Sequence, residues 1–183
     1  MIVFTVVFGK LAKLPSEGVP YPLMVYAGML MWQFFSSTIS SGSESLLGNS
    51  NLISKVYFPR LIIPSTSMTV SLTDFLISAV VFIPLFFWYG TIPSWKIVFL
   101  PCFILLTAIL SLGVTYFISS LNVKYRDFRY VIPFALQVGM YISPVGFTTA
   151  IVPERWQLLY SLNPLVGIID GVRWSLFGTP LNL

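Results

Sequence analysis

The chain alternates long apolar runs with short polar segments marked by proline and glycine. Residues 23–48, 61–89, 97–121 and 131–152 form four runs on the scale of the roughly 20 residues that a spanning helix needs. A shorter apolar stretch, residues 1–8, reads as the end of an earlier span, so the sequence is expected to be a piece of a longer protein. Gly9, Pro15, Gly18, Pro20 and Pro22 keep residues 9–22 out of regular helix. Pro84 predicts a kink inside 61–89, and Pro144 with Gly146 interrupts 131–152. The last segment, 152–178, fits no simple span. Pro164 divides it, and Glu154, Arg155, Asp170 and Arg173 punctuate it. Two short half-inserted helices are expected there, with Trp156, Tyr160 and Trp174 suited to a membrane interface. No closing span follows before Leu183. The pattern predicts an all-α integral membrane protein: one polytopic helical bundle over 1–183, with re-entrant helices near its carboxyl end.

Composition agrees with a bilayer as the solvent. The 183 residues are 56% hydrophobic and 9% charged, with mean hydropathy +0.87, whereas soluble domains carry about 25% charged residues. Cys102 is the one cysteine and histidine is absent. This excludes a disulfide within the chain and argues against a zinc or haem site; Cys102 is expected to be a small packing residue. The net charge of +4 reads as loop charge, with no nucleic-acid partner. The start of the chain has neither the basic region nor the cleavage site of a signal peptide. Charge does not orient the bundle. Lys55, Arg60, Lys124, Arg126 and Arg129 occupy loops on one side, and Lys10, Lys13, Lys96, Arg155 and Arg173 the other.

Several positions carry possible chemistry. Ser37, Ser41, Ser45 and Gly48 recur at helical spacing, either as a close-packing face or as the lining of a polar path. In 51–57, a short helix capped by Asn49 or Ser50 would place Leu52, Ile53, Val56 and Tyr57 on one side. Asn51, Ser54 and Lys55 would lie opposite, before the Phe58–Pro59–Arg60 stop. Such a stub either docks a partner or is a solvated loop. In 122–130, Lys124, Arg126 and Arg129, with Asp127, either anchor topology or reach an acidic surface or lipid phosphate. Asp74 lies deep in an apolar run and should face protein or water, through a hydrogen bond to neighbouring serines or as a gate or headgroup contact. Asp170 and Arg173, three apart, are expected to pair on one helix face.

The stretches FTVVFGKLAKLPSEGVPYPLMVYAGMLMWQFFSS, NSNLISKVYFPRLIIP, LNVKYRDFRY, MYISPVGF and LNPLVGIIDGVRW, in that order, resemble the permease subunit of ABC exporters for polysaccharides and lipid-linked glycans of the O-antigen, capsule or teichoic-acid type. Members of that family have a cytoplasmic amphipathic helix and a complete first span before this region and a sixth span after it. The resemblance implies a multi-pass protein of the bacterial cytoplasmic membrane, with loops 49–60 and 122–130 cytoplasmic. It makes Leu52, Ile53, Ser54, Lys55, Val56, Tyr57, Phe58 and Arg60 the coupling helix that receives the stroke of a separate ATPase subunit. That partner would hold ATP and magnesium; no cofactor is expected in this chain, which has no phosphate loop. The other implied partners are a second copy of the chain, membrane lipid and the glycan cargo. Sugars stack C–H faces on aromatic rings, so Phe4, Phe8, Tyr26, Trp32, Phe35 and Tyr141 are candidates for the path, or else lipid-facing bulk. Glu154, Arg155, Asn163, Pro164, Asp170 and Arg173 are read as an outer gate.

Two other classes are the alternatives to an exporter subunit. A membrane enzyme of lipid-glycan metabolism would need convergent acids or a nucleophile–base pair, and the six acids are scattered. An ion-coupled carrier would favour several intramembrane charges and an internal repeat, and only Asp74 is so placed.

Overall fold

The computed structural model describes residues 19–49, 55, 59, 61–91, 93–125, 127–149 and 153–179, without the side chains of 154, 158 and 159. All regular structure among them is helical. The first helix, α1, is Tyr21–Gly48. Pro20 precedes it and Pro22 sits in its first turn, where a missing N–H costs nothing. The run 61–89 is two helices, α2 Ile62–Val80 and α3 Phe82–Tyr89. Pro84 has no N–H for the Val80 carbonyl, and the ladder tightens at the junction, where Val81 N donates to Ser78 O at 3.2 Å. Gly90, at φ 61°, ends α3 in the left-handed conformation that glycine adopts without penalty. A 3-10 turn, Trp95–Phe99, leads into α4, Leu100–Lys124.

The fourth run is broken where Pro144 and Gly146 were expected to interrupt it. Helix α5 is Phe128–Ile142, and residues 143–148 after it are turn and irregular backbone. Ser143, at ψ 151°, is extended because the following Pro144 disfavours the helical conformation. Two short helices follow, α6 Glu154–Ser161 and α7 Pro164–Phe177. Asn163 caps α7, its Oδ1 accepting from Leu165 N at 3.1 Å, and Gly178 at φ 73° ends it.

Helix α1 is the central post. Leu23, Met31, Phe34 and Ile39 on it are buried, and Phe75 of α2, Ala108 of α4, Ile132 of α5 and Ile169 of α7 close around them. The outward faces of α2, α3 and α4 are apolar and bare: Val70, Ile77, Ile83, Phe87, Leu105, Ile109 and Phe117 are all exposed. Water would oppose such a surface and hydrocarbon does not. The stretches Ile62–Tyr89 and Trp95–Lys124 are long and apolar enough to cross a membrane. Cys102 lies on this outward surface rather than in the packing expected for it.

The close-packing face of α1 is not the predicted serine row. A Cβ on Gly42 would stand 2.3 Å from Thr115 Cγ2 and 2.6 Å from Ser67 Oγ, whereas one on Gly48 would meet nothing within 4 Å. Around Gly42 the three long helices are joined by polar contacts. The hydroxyls of Ser67 (α2) and Thr115 (α4) lie 3.3 and 3.4 Å from the Thr38 carbonyl oxygen. Asn122 Nδ2 donates to Ser43 O at 2.8 Å. Gly42→Ala is therefore expected to destabilise the bundle by about 1–3 kcal/mol through overpacking, measured by reversible detergent unfolding. Gly48→Ala should leave stability unchanged or slightly raised.

Candidate functional site

Beyond the end of α5 the chain turns back on itself through residues 143–149, and a polar cluster holds that turn against α1 and α7. Arg173 of α7 is 3% exposed. Its Nη1 donates to Phe147 O at 2.9 Å and its Nη2 to Val145 O at 3.0 Å. The planar guanidinium fork suits this double grip on two backbone carbonyls in a way that a lysine would not. Asp170 Oδ1 stands 3.6 Å from Arg173 Nη1, so the i,i+3 pair forms. The other carboxylate oxygen of Asp170 accepts from the Thr149 hydroxyl, and the Tyr21 hydroxyl of α1 donates to Gly146 O. Asn163 Nδ2 donates to Ser143 Oγ at 3.3 Å. Gly28 makes room for the cluster: a Cβ there would sit 2.9 Å from Val145 O and 3.1 Å from Arg173 Nη2.

Of the residues grouped from sequence at this end, the structure brings Asn163, Asp170 and Arg173 together on one turn. Pro164 is the exposed first residue of α7. Arg155 is exposed on α6, and the Glu154 side chain lies outside the description. Tyr21, Gly28 and Thr149 were not singled out from sequence. A tyrosine at a helix start and a glycine inside a helix carry no signal until the turn they serve is in place.

A second feature is the exposed seam between α1 and α5. Gln33, Ser36, Ser37, Ser40 and Ser41 of α1 face Gln137 and Met140 of α5 across a groove of about 440 Å³. At one end of the seam Arg129 Nε meets Glu44 Oε1 at 3.1 Å, with both side chains largely exposed. Tyr130, Phe134 and Tyr141 stand outward on α5, with Gln137 among them at matching helical spacing. Tyr141 was singled out for a path from sequence; Tyr130, Phe134 and Gln137 were not. Trp32 lines the same groove from a largely buried position, packed against Gly139 where α5 crosses α1, and Phe35 is buried. Tyr26 is partly buried; its hydroxyl donates to Ser78 O at 2.7 Å and its ring stacks edge-on against Phe82.

The remaining candidates are dispersed. Lys55 is helical and exposed, while Leu52, Ile53, Ser54, Val56, Tyr57, Phe58 and Arg60 lie outside the described residues, as do Phe4, Phe8 and Arg126. Lys124 places its ammonium 5.1 Å from the Tyr125 ring centroid, and Asp127 is exposed. Among the described residues, Asp74 makes no bond to a serine. The buried face of α2 carries Ser67, Ser71 and Phe75, and Asp74, one helical step from Phe75, points outward.

The polar cluster yields a prediction. Arg173→Leu removes both backbone anchors and leaves Asp170 without its cation. It should cost about 3–5 kcal/mol, as breaking a buried pair does. Amide exchange in 143–149 should rise in the same variant, and Arg173→Lys should restore only part of the protection.

A family model described as ABC-2 type transporter matches residues 1–177. The O-antigen export system permease protein RfbA of Myxococcus xanthus is 25% identical over 176 residues, covering 94% of this chain and 66% of that protein. Two Klebsiella pneumoniae proteins of the same name are 27% and 28% identical over 163 and 166 residues, each covering 88% of this chain and 63% of the relative. The chain thus spans just under two thirds of the length of these relatives. On the family match over nearly its whole length, this chain is a membrane protein that belongs to the ABC-2 type transporter family.

Proposed function

We propose that this chain is the transmembrane part of an ATP-driven exporter that moves a polysaccharide or lipid-linked glycan across the bacterial cytoplasmic membrane. The observation that carries this reading is the collinear family match over residues 1–177; three relatives named as O-antigen export permeases support the cargo class. In this reading two copies pair, ATP is hydrolysed on a separate nucleotide-binding subunit, and the segment 51–60 receives its stroke through Tyr57 and Phe58. Loops 49–60 and 122–130 face the cytoplasm, and the cluster around Arg173 sits at the outer gate.

The face shared by α1 and α5 is the proposed path wall. Serine hydroxyls and glutamine amides on the outside of a membrane bundle are poorly solvated by lipid, and their natural neighbours are water, cargo or a second subunit. A passing glycan needs many weak, repeatable contacts. Tyr130, Phe134 and Tyr141 offer ring faces to sugar C–H groups, while Gln33 and Gln137 offer amides to hydroxyls.

Two experiments test the reading. The full-length protein should co-purify with an ATPase subunit bearing a phosphate loop, and export should stop when that loop is inactivated; export that continues without hydrolysis refutes the exporter. Tyr57→Ala with Phe58→Ala should lower export roughly tenfold at normal membrane insertion, with ATP hydrolysis retained. Normal export in the double variant removes the coupling role from this segment.

A further inference from the structure

Helix α5 is fastened to the bundle near its two ends, with open flanks between. Ile132 is the one buried residue in it. On one flank lies the polar groove toward α1. On the other, an apolar groove of about 340 Å³ is lined by Val131 and Ala135 of α5 and by Val114 and Ile118 of α4. Toward the carboxyl end, a Cβ on Gly139 would stand 2.9 Å from Trp32 Cη2, so the glycine seats that ring. Toward the amino end, Arg129 Nε donates to Glu44 Oε1 at 3.1 Å. The two attachments stand about 15 Å apart along the helix.

The charges of this pair are crossed. Arg129 lies in the first turn of α5, where the helix dipole is positive and disfavours a cation. Glu44 lies near the carboxyl end of α1, where the dipole is negative. Each charge opposes its own helix and suits its neighbour. The last turn of α1 has no basic residue and the first turn of α5 no acid, and Asp127 at the N-cap of α5 makes no capping hydrogen bond. The charges are therefore favourable only while the two helices stand together. The hold is weak all the same, because both side chains are half-exposed and exposed pairs contribute little. Arg173, buried among carbonyls, is the opposite case.

The backbone around the pair suits a movable contact. Pro133 has no N–H for the Arg129 carbonyl, so the first turn of α5 lacks one of its ties. The end of α1 is firm: Asn49 Nδ2 donates to Ser45 O at 2.8 Å. A push on the segment that follows Asn49 is thus carried into the turn that bears Glu44. We propose that the Glu44–Arg129 pair is a latch holding the amino end of α5 against α1, and that the stroke on segment 51–60 opens it, so that α5 swings about Trp32 and Gly139 and the seam widens. The use of the latch in transport rests on the export reading; its grip on α5 does not.

The test uses the full-length protein in membrane vesicles, in a Cys102→Ala background, with Ser40→Cys and Gln137→Cys on facing sides of the seam. A short bifunctional thiosulfonate joins the two cysteines, and the rate of joining is measured. Arg129→Glu should slow it roughly fivefold, by turning attraction into repulsion. Adding Glu44→Arg should restore part of the rate. Salt at about 1 M, where the screening length is about 3 Å, should slow the parent and leave Arg129→Gln unchanged. With Glu44→Cys and Arg129→Cys instead, the same reagent should stop export until a reductant is added. Equal rates in the parent, Arg129→Glu and Arg129→Gln overturn the latch, as does undiminished export with the two positions joined. If the full-length protein with its ATPase exports nothing in any form, the export reading fails, and the rate series still decides the latch.

Discussion

Helices in a bilayer gain little from burying apolar side chains against one another, because lipid is as apolar as the core. Close approach and interhelical hydrogen bonds must do that work instead. In this protein the constraint falls on Gly42 of α1. There the side chains of Ser67 and Thr115 would collide with any Cβ, and both hydroxyls converge on the Thr38 carbonyl. The contact fixes α2 and α4 on α1. Everything else is hung from that post: α5 through Trp32 against Gly139, and α7 through Arg173 against the room left by Gly28.

The outer surface follows from the same physics. Hydrophobic residues point both inward and outward on α2, α3 and α4, whereas the seam between α1 and α5 exposes serine and glutamine. One side of the protomer is thus fit for hydrocarbon and another is not. The turn 143–149 closes one end of α5 by a separate device, a buried guanidinium gripping two carbonyls, which positions irregular backbone that has no helical partners of its own.

This also explains what the sequence disclosed and what it withheld. Proline and glycine acted through covalent geometry alone, so the junction near Pro84, the stop before Pro144 and the break at Pro164 were legible. The pairing of Asp170 with Arg173 was legible because three residues on a helix make neighbours. The facing of aromatic and small residues was not. Helical periodicity in a soluble protein separates core from water, but here core and lipid ask for the same residues. Trp32 and Phe35 thus went inward, Tyr130 and Phe134 outward, and the packing glycine was Gly42 rather than the Ser37–Gly48 row. The carbonyls held by Arg173 belong to a turn remote in sequence, and no local pattern announces them.

The central claim is that the α1–α5 seam faces a polar space and the α2–α4 surfaces face lipid. Single cysteines at Gln33, Ser40, Gln137, Val70 and Leu105, placed in a Cys102→Ala background of the full-length protein, would be probed in native membranes with a small water-soluble thiol reagent. The account predicts rapid modification at Gln33, Ser40 and Gln137, and none at Val70 and Leu105. Equal protection of all five positions, or modification of Val70 and Leu105 alone, would contradict it.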